Sequence, residues 1–227
     1  MPSSDSPVLL ITGASSGIGA ATARAAVAED WRVVLAARSQ DKIDDLAAEL
    51  GDGTALAVRC DVTEWDDQQA AVAAALEQFG RLDAFFANAG FGASRGFLEE
   101  SPEHWRAMVD TNVYGAALSI RASLAHFKKQ DAGHFLVTGS AAGRVKLPGS
   151  LYSATKWAVH AMADGLRQEV SDTKIKSTII APGMVDTPFF DEPKEGALQA
   201  DDVARAVLYA LSQPDHVDVN EVLVRPN

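Results

Sequence analysis

Cysteine is almost missing from this chain. Cys60 is the single one among 227 residues, so no disulfide can close within the chain, which suits a reducing compartment. Its place in an apolar run just before Asp61 marks it as a buried structural thiol. Positive charge is also scarce: 20 lysines and arginines face 31 aspartates and glutamates, for a net charge of -11. That balance argues against nucleic-acid binding, which favours a basic footprint, and against attraction to anionic membranes. No apolar run approaches the roughly 18 residues that a membrane helix needs. Residues 1–7 are polar and lack an apolar signal core. The expectation is a cytoplasmic protein with a flexible leader over 1–7 and one folded unit over 8–227. His104, His126, His134, His160 and His216 are scattered without ligand spacing, so they are read as solvated or structural and no metal site is expected. Internal repeats and low-complexity linkers are absent too.

What remains is ordinary globular composition, 47% hydrophobic and 22% charged, in a chain long enough to bury a substantial core. Short β-rich runs at 8–11, 32–36, 55–60, 84–87, 133–138, 176–180 and 221–224 alternate with longer amphipathic ones. The latter lie at 17–29, 41–50, 64–79, 102–129, 151–170 and 200–212. This alternation predicts an α/β fold with a doubly wound parallel sheet of about seven strands and helices on both faces. Ligands of such a sheet bind outside the carboxyl ends of the strands.

The first strand runs into Thr12-Gly13-Ala14-Ser15-Ser16-Gly17-Ile18-Gly19, and an alanine-rich helix follows. Glycines permit a tight turn and close approach of backbone to phosphate oxygens, while the helix offers free N–H groups and the positive end of its dipole. The spacing is G-x-x-x-G-x-G rather than the commoner G-x-G-x-x-G. Near the end of the second strand, where an acidic residue would bind the ribose 2′-hydroxyl of NAD, the chain has Ala37 followed by Arg38. A guanidinium suits a 2′-phosphate, Ser15 and Ser16 could add hydroxyl donors, and NADP(H) is the expected cofactor. Further along, Tyr152 and Lys156 stand at i and i+4, on one face of a helix. A free tyrosine titrates near pH ~10, and a neighbouring cation lowers that value. The pair could therefore exchange a proton with an alcohol oxygen while hydride moves elsewhere. The spacing alone also fits an interface tyrosine beside a surface lysine, just as Ser140 alone fits a strand-end turn and Asn112 a helix-breaking amide.

Taken in order, Thr12-Gly13-x-x-x-Gly17-x-Gly19, Asp61-Val62, Asn88-Ala89-Gly90, Asn112, Ser140, Tyr152-x-x-x-Lys156 and Pro182-Gly183 resemble the signature of the short-chain dehydrogenases/reductases, whose fold is of Rossmann type. The resemblance implies that Tyr152 is the general acid/base, and that Lys156 lowers its pKa and binds the nicotinamide ribose. It implies that Ser140 holds the substrate oxygen, and that Asn112 positions a water linking Lys156 to solvent. Asp61 and Val62 would contact the adenine. The usual Asn-Asn-Ala-Gly reads Ala87-Asn88-Ala89-Gly90 here. The segment Pro182-Gly183-Met184-Val185-Asp186-Thr187 would run beside the nicotinamide.

Pocket walls are expected from 91–97, 141–147 and 184–190, with Arg95, Arg144 and Lys146 either anchoring an acidic substrate or facing solvent. The tail 216–226 is similar to members that oxidise 3-hydroxy acids or reduce small carbonyls. A 3-oxoacyl-(carrier protein) reductase is the alternative, with Arg95, Arg106, Arg121, Lys128 and Lys129 as a docking surface. A non-catalytic NADP-binding regulator would typically have lost Tyr152, Lys156 or Ser140, and all three are present. The helix from Leu151 carries Trp157, Val159, Met162, Leu166 and Val170, more apolar positions than one core face needs. Together with the resemblance this predicts a homo-oligomer, a tetramer of paired dimers.

Overall fold

The computed structural model describes residues 2–189 and 192–227. Met1 of the expected leader and Phe190 of the expected pocket wall lie outside the described residues. Seven parallel strands form the main sheet: β1 (Val8–Thr12), β2 (Arg32–Ala37), β3 (Ala55–Arg59), β4 (Ala84–Ala87), β5 (Ala132–Thr138), β6 (Lys174–Pro182) and β9 (Glu221–Val224). Their order is β3-β2-β1-β4-β5-β6-β9. Every residue of β1 is buried, because successive side chains enter two separate cores. Val8 and Leu10 pack with Val72 and Phe79 of α3 (Trp65–Phe79), Ala122 and Phe127 of α5 (Ala116–Gln130), and Val159 and Leu166 of α6 (Leu151–Glu169). Leu9 and Ile11 pack with Ala23 and Ala26 of α1 (Gly17–Ala28), Ile43 and Leu46 of α2 (Gln40–Leu50), and Val203 and Val207 of α7 (Ala200–Leu211). A strand covered on both faces reads as a continuous apolar run, which is why these strands stand out in the sequence. The chain leaves β1 toward β2 on one side and returns to β4 on the other. That reversal opens a crevice at the carboxyl ends of β1 and β4.

Two features depart from the sequence-based expectation. The single helix expected over 102–129 is divided into α4 (Pro102–Val109), a π-helical turn at Asp110–Gly115, and α5. Gly115 lies so close to the third strand's exit that a Cβ would stand 2.9 Å from Val62 Cγ2. The carbonyl of Gly115 is taken by Gln68 Nε2 at 3.1 Å and Ser119 Oγ at 2.9 Å, so side chains satisfy a backbone group of the wider turn. A short parallel ribbon, β7 (Val185–Asp186) with β8 (Leu198–Gln199), ties the segment after β6 to the start of α7. Within the stretch expected as a leader, the carbonyl of Ser6 accepts from Arg32 at 2.9 Å and that of Asp5 from Arg81 at 3.0 Å. No helix among the described residues is long and apolar enough to cross a membrane.

Candidate active site

The glycine-rich turn is built by close contact. Gly13 and Gly17 sit at φ of +65° and +51°, a region L side chains disfavour. A Cβ on Gly19 would lie 2.3 Å from the carbonyl oxygen of Gly13, so α1 can meet the turn only without a side chain there. The turn is laced to the neighbouring strand ends. Thr12 Oγ1 accepts from the backbone N–H groups of Asn88 at 3.0 Å and Ala89 at 3.2 Å. Asn88 Nδ2 donates to the carbonyl of Thr12 at 3.1 Å, and Thr138 Oγ1 donates to Asn88 Oδ1 at 3.0 Å. Ser16 precedes α1 in extended conformation, its side chain makes no capping bond, and the first turn holds no acidic residue. The leading N–H groups are thus left to an anion.

From this turn a cleft of about 770 Å³ runs past Ser15, Ser16, Ile18, Arg38, Asp61, Val62 and Asn88–Gly90 to Ser140, Tyr152, Lys156, Pro182, Gly183, Val185 and Thr187. Of the residues expected to meet a cofactor, only Gly19 stays off the wall, where it supports the turn from below. The donors fit a dinucleotide phosphate: serine hydroxyls, helix N–H groups, and the exposed Arg38 beside Ala37, with no carboxylate at that strand end. Burial raises the Asp61 carboxyl, but hydrogen bonds from Thr63 and the charges of Arg38 and Arg59 outweigh it and hold the group below its ordinary range. Burial, with the charges of Asp67 and Asp61, pushes the Cys60 thiol up to about 12, which removes it as a nucleophile.

The reacting end is set by the start of α6. Ser150 caps the helix by accepting from the Ser153 N–H at 3.1 Å, and the next turn points Tyr152 and Lys156 into the cleft. The buried Lys156 donates to the carbonyl of Thr138 at 2.7 Å and lies 5.7 Å from the centre of the Tyr152 ring. Burial brings the ammonium of Lys156 down to about 8. The expected lowering of the phenol by this lysine is not found. Burial pushes Tyr152 up to about 12, opposed by its hydrogen bond with Ser140. The physical reason is that desolvation disfavours the charged form of both groups.

Asn112, nearly fully buried, does not line the main cleft. Its Oδ1 accepts from the Phe91 N–H at 3.0 Å, and its Nδ2 donates to the carbonyl of Phe91 at 2.9 Å and to Thr155 Oγ1 at 3.2 Å. With Thr12, Thr138 and Lys156 it borders a side cavity of about 10 Å³, the size of a single water site.

The substrate end is aromatic. Phe189 stands edge-on to Tyr152 with centroids 5.7 Å apart and rests on Gly92, where a Cβ would meet its Cζ at 2.6 Å. Of the three candidate anchors, Arg95 lines the cleft. Arg144 is instead held by both carboxylate oxygens of Glu221, its Nε at 3.0 Å from Oε1, and neither it nor Lys146 borders the cleft. Among the other basic residues considered for docking, Arg121 lies over the Trp65 ring at 5.2 Å and Lys128 pairs with Glu169 at 2.6 Å. Thr138 and Gln68 brace the site in ways that no motif announces. Polar residues at the ends or faces of buried apolar elements were the available signal.

The family model described as short chain dehydrogenase matches residues 7–197. The chain belongs to this family. It is 44% identical over 223 residues to an uncharacterized oxidoreductase of Staphylococcus haemolyticus, covering 96% of each chain. Among solved structures, an alcohol dehydrogenase from Thermococcus sibiricus complexed with 5-hydroxy-NADP superposes with a TM-score of 0.89 at 32% identity, over 98% of this chain and 97% of that one. Serine dehydrogenase from Escherichia coli gives 0.88 at 29% identity over 96% and 97%. A 3-ketoacyl-(acyl-carrier-protein) reductase from Brucella melitensis complexed with NADH gives 0.86 at 32% identity over 97% and 98%. The chain is therefore an oxidoreductase of this family, with the fold of these relatives.

Proposed function

We propose that residues 8–227 form an NADP(H)-dependent enzyme that interconverts a secondary alcohol, a small hydroxy acid or related compound, and its carbonyl. The observation that carries this reading is the single cleft with Arg38 and the open helix N-terminus at one end and Tyr152, Ser140 and Lys156 at the other. Bound NADPH would supply the hydride to the carbonyl carbon, and NADP would take it back in oxidation. Tyr152 gives its phenolic proton to the carbonyl oxygen as hydride arrives, and withdraws the hydroxyl proton in the reverse direction. Ser140 donates a hydrogen bond to the same oxygen and orients it toward Tyr152. Lys156, which releases a proton near pH 8, restores the proton of Tyr152, and a water in the side cavity bordered by Lys156 and Asn112 would link Lys156 to solvent. Arg95 is the cation available to a substrate carboxylate, and the likeness to serine dehydrogenase points the same way.

The second reading, a reductase of carrier-bound 3-oxoacyl groups, is favoured by the Brucella melitensis structure. Its drawback is that Arg95 is the one candidate docking cation on the cleft wall. We take the working enzyme to be a cytoplasmic homotetramer. The test is a screen of NADPH oxidation and NADP reduction over hydroxy acids, ketones, aldehydes and 3-oxoacyl thioesters. Turnover of free hydroxy acids or small ketones is expected, and turnover of thioesters alone selects the second reading. Tyr152→Phe is expected to lower kcat by about 10² to 10⁴ while NADPH still binds. Retention of more than about a tenth of the rate overturns the assignment of Tyr152 as the acid.

A further inference from the structure

Ser140 follows β5 on a turn that pairs with β6 only as far as the Gly139 N–H, which donates to the carbonyl of Ile180 at 2.8 Å, and beyond that point α6 braces the turn through three side chains on one helical face. Ser153 Oγ donates to the carbonyls of Ala142 at 2.7 Å and Val145 at 3.0 Å. Lys156 Nζ donates to the carbonyl of Thr138 at 2.7 Å. The third is His160, one turn beyond Lys156, whose Nε2 lies 3.2 Å from the backbone N of Ser140. Positions i, i+3 and i+7 share a face, so these contacts form one seam between α6 and the turn at 138–145. The imidazole is buried and wedged against backbone: a Cβ on Gly139 would meet Nε2 at 2.3 Å, and one on Gly143 at 2.8 Å. It cannot swing aside without moving the turn.

We infer that His160 is a positioning residue for Ser140, a neutral hydrogen-bond acceptor that fixes the turn carrying the substrate-facing hydroxyl and releases it on protonation. The bond has a single polarity. The Ser140 N–H can only donate, so Nε2 must carry no proton and the neutral ring must hold it on Nδ1. Nδ1 is buried and has no hydrogen-bond partner among the described residues. The nearest carboxylate oxygen, Glu221 Oε1, is 4.0 Å away and already engaged by Arg144. A second proton would turn Nε2 into a donor facing the Ser140 N–H, and the seam would lose its hold on Ser140.

The surrounding charges act on that step from every packed element. Burial opposes protonation, as do Arg144 on the turn and Lys156 on α6, while Glu221 on β9 and Asp164 on α6 favour it; the net effect lowers the pKa of His160 from the ordinary histidine value. The ring is therefore neutral, and the seam intact, at neutral pH.

This inference rests on Ser140 as the residue that holds the substrate oxygen, and the experiment separates the two. His160→Leu removes the acceptor and His160→Gln supplies another, an amide oxygen of similar reach. Hydrogen–deuterium exchange of peptides spanning 138–145, at pH 7 on proteins shown by thermal melting to be folded, needs no substrate. His160→Leu is expected to exchange faster there than wild type, with His160→Gln close to wild type. Equal protection in His160→Leu and wild type overturns the inference whatever the enzyme's activity. On a substrate found in the screen, His160→Leu should lose at least about tenfold in kcat with NADPH affinity kept, since ångström-scale misplacement costs about 10² in rate. His160→Gln should recover most of that loss and lack the acid limb of the wild-type pH profile. An unchanged acid limb in His160→Gln overturns the protonation step. A wild type that turns over none of the screened compounds, with exchange as expected, overturns the functional reading and leaves the positioning role standing.

Discussion

A lysine without solvent is favoured in its neutral form, and Lys156 is such a group. Its pKa falls from 10.5 to about 8 on burial. Between those values the unfolded chain binds the extra proton, so this residue makes stability rise with pH across that window; below about 8 the folded protein carries the full cost of the buried charge. Shifts of this size correspond to a few kcal/mol, and the charge-assisted bond to Thr138 offsets only part of that, about 1.5–3 kcal/mol. Lys156→Met is thus expected to abolish turnover yet raise Tm at pH 7 by several degrees, at about 2–4 °C per kcal/mol for a chain of this size. The difference in Tm between variant and wild type should shrink as pH rises through the window. A Tm advantage that does not change with pH would show that the effect comes from packing instead. Arg38 concerns affinity instead of stability. If it meets a 2′-phosphate as proposed, the charge-assisted contact would be worth roughly 1.5–3 kcal/mol, or about one to two decades. Arg38→Ala should weaken NADPH by that factor in a fluorescence titration and leave NADH nearly unaffected. Equal weakening of both would remove Arg38 from the phosphate site.

Among the elements, the π-helical turn at Asp110–Gly115 is the joint on which both ends of the cleft depend. It faces the exit of β3 through Gly115 and the exit of β4 through Asn112. Gln68, fully buried on α3, closes the joint, its Nε2 standing within hydrogen-bond reach of the carbonyls of Val62 at 3.0 Å and Gly115 at 3.1 Å and of Ser119 Oγ at 3.0 Å. Gln68→Leu keeps the volume roughly constant and takes away the donor shared by two buried carbonyls. Each buried group left unsatisfied costs about 1–3 kcal/mol, although Ser119 still serves Gly115. A loss of about 2–3 kcal/mol and a Tm lowered by about 4–12 °C are expected from denaturant and thermal unfolding. A Tm within about a degree of wild type would mean that water replaces the amide without penalty.

For the whole molecule, Trp157 and Tyr114 remain 44% and 53% exposed on α6 and the π-helical turn. The indole of Trp157 donates to the carbonyl of Val145 at 3.3 Å in its own chain, so its edge is satisfied while much of its apolar area still faces outward. Leu166, Val159 and Val170 are buried within the chain, and Met162 packs against that core. The outward aromatic face is what a second copy would cover. Light scattering at micromolar concentration is expected to give a multiple of 24.0 kDa, and Trp157→Glu is expected to shift it to smaller species. A stable monomer of the wild type would refute the assembly.

The local spacing of residues was enough to read the strands, the glycine turn and the Tyr152–Lys156 pair. Apolar runs announce doubly covered strands, the turn's glycines sit where no Cβ fits, and an i, i+4 pair shares a helical face whatever surrounds it. The family signature added Ser140 and Asn112. The tertiary structure alone decided what depends on residues far apart in the chain. It broke the helix expected over 102–129, because the opportunity to bond Gly115 comes from Gln68, distant along the chain. It tied Arg144 to Glu221 across the sheet edge and left Arg95 on the cleft wall. It also set the directions in which Tyr152 and Lys156 titrate, since desolvation depends on how many distant elements close over a group, and spacing carries no record of that.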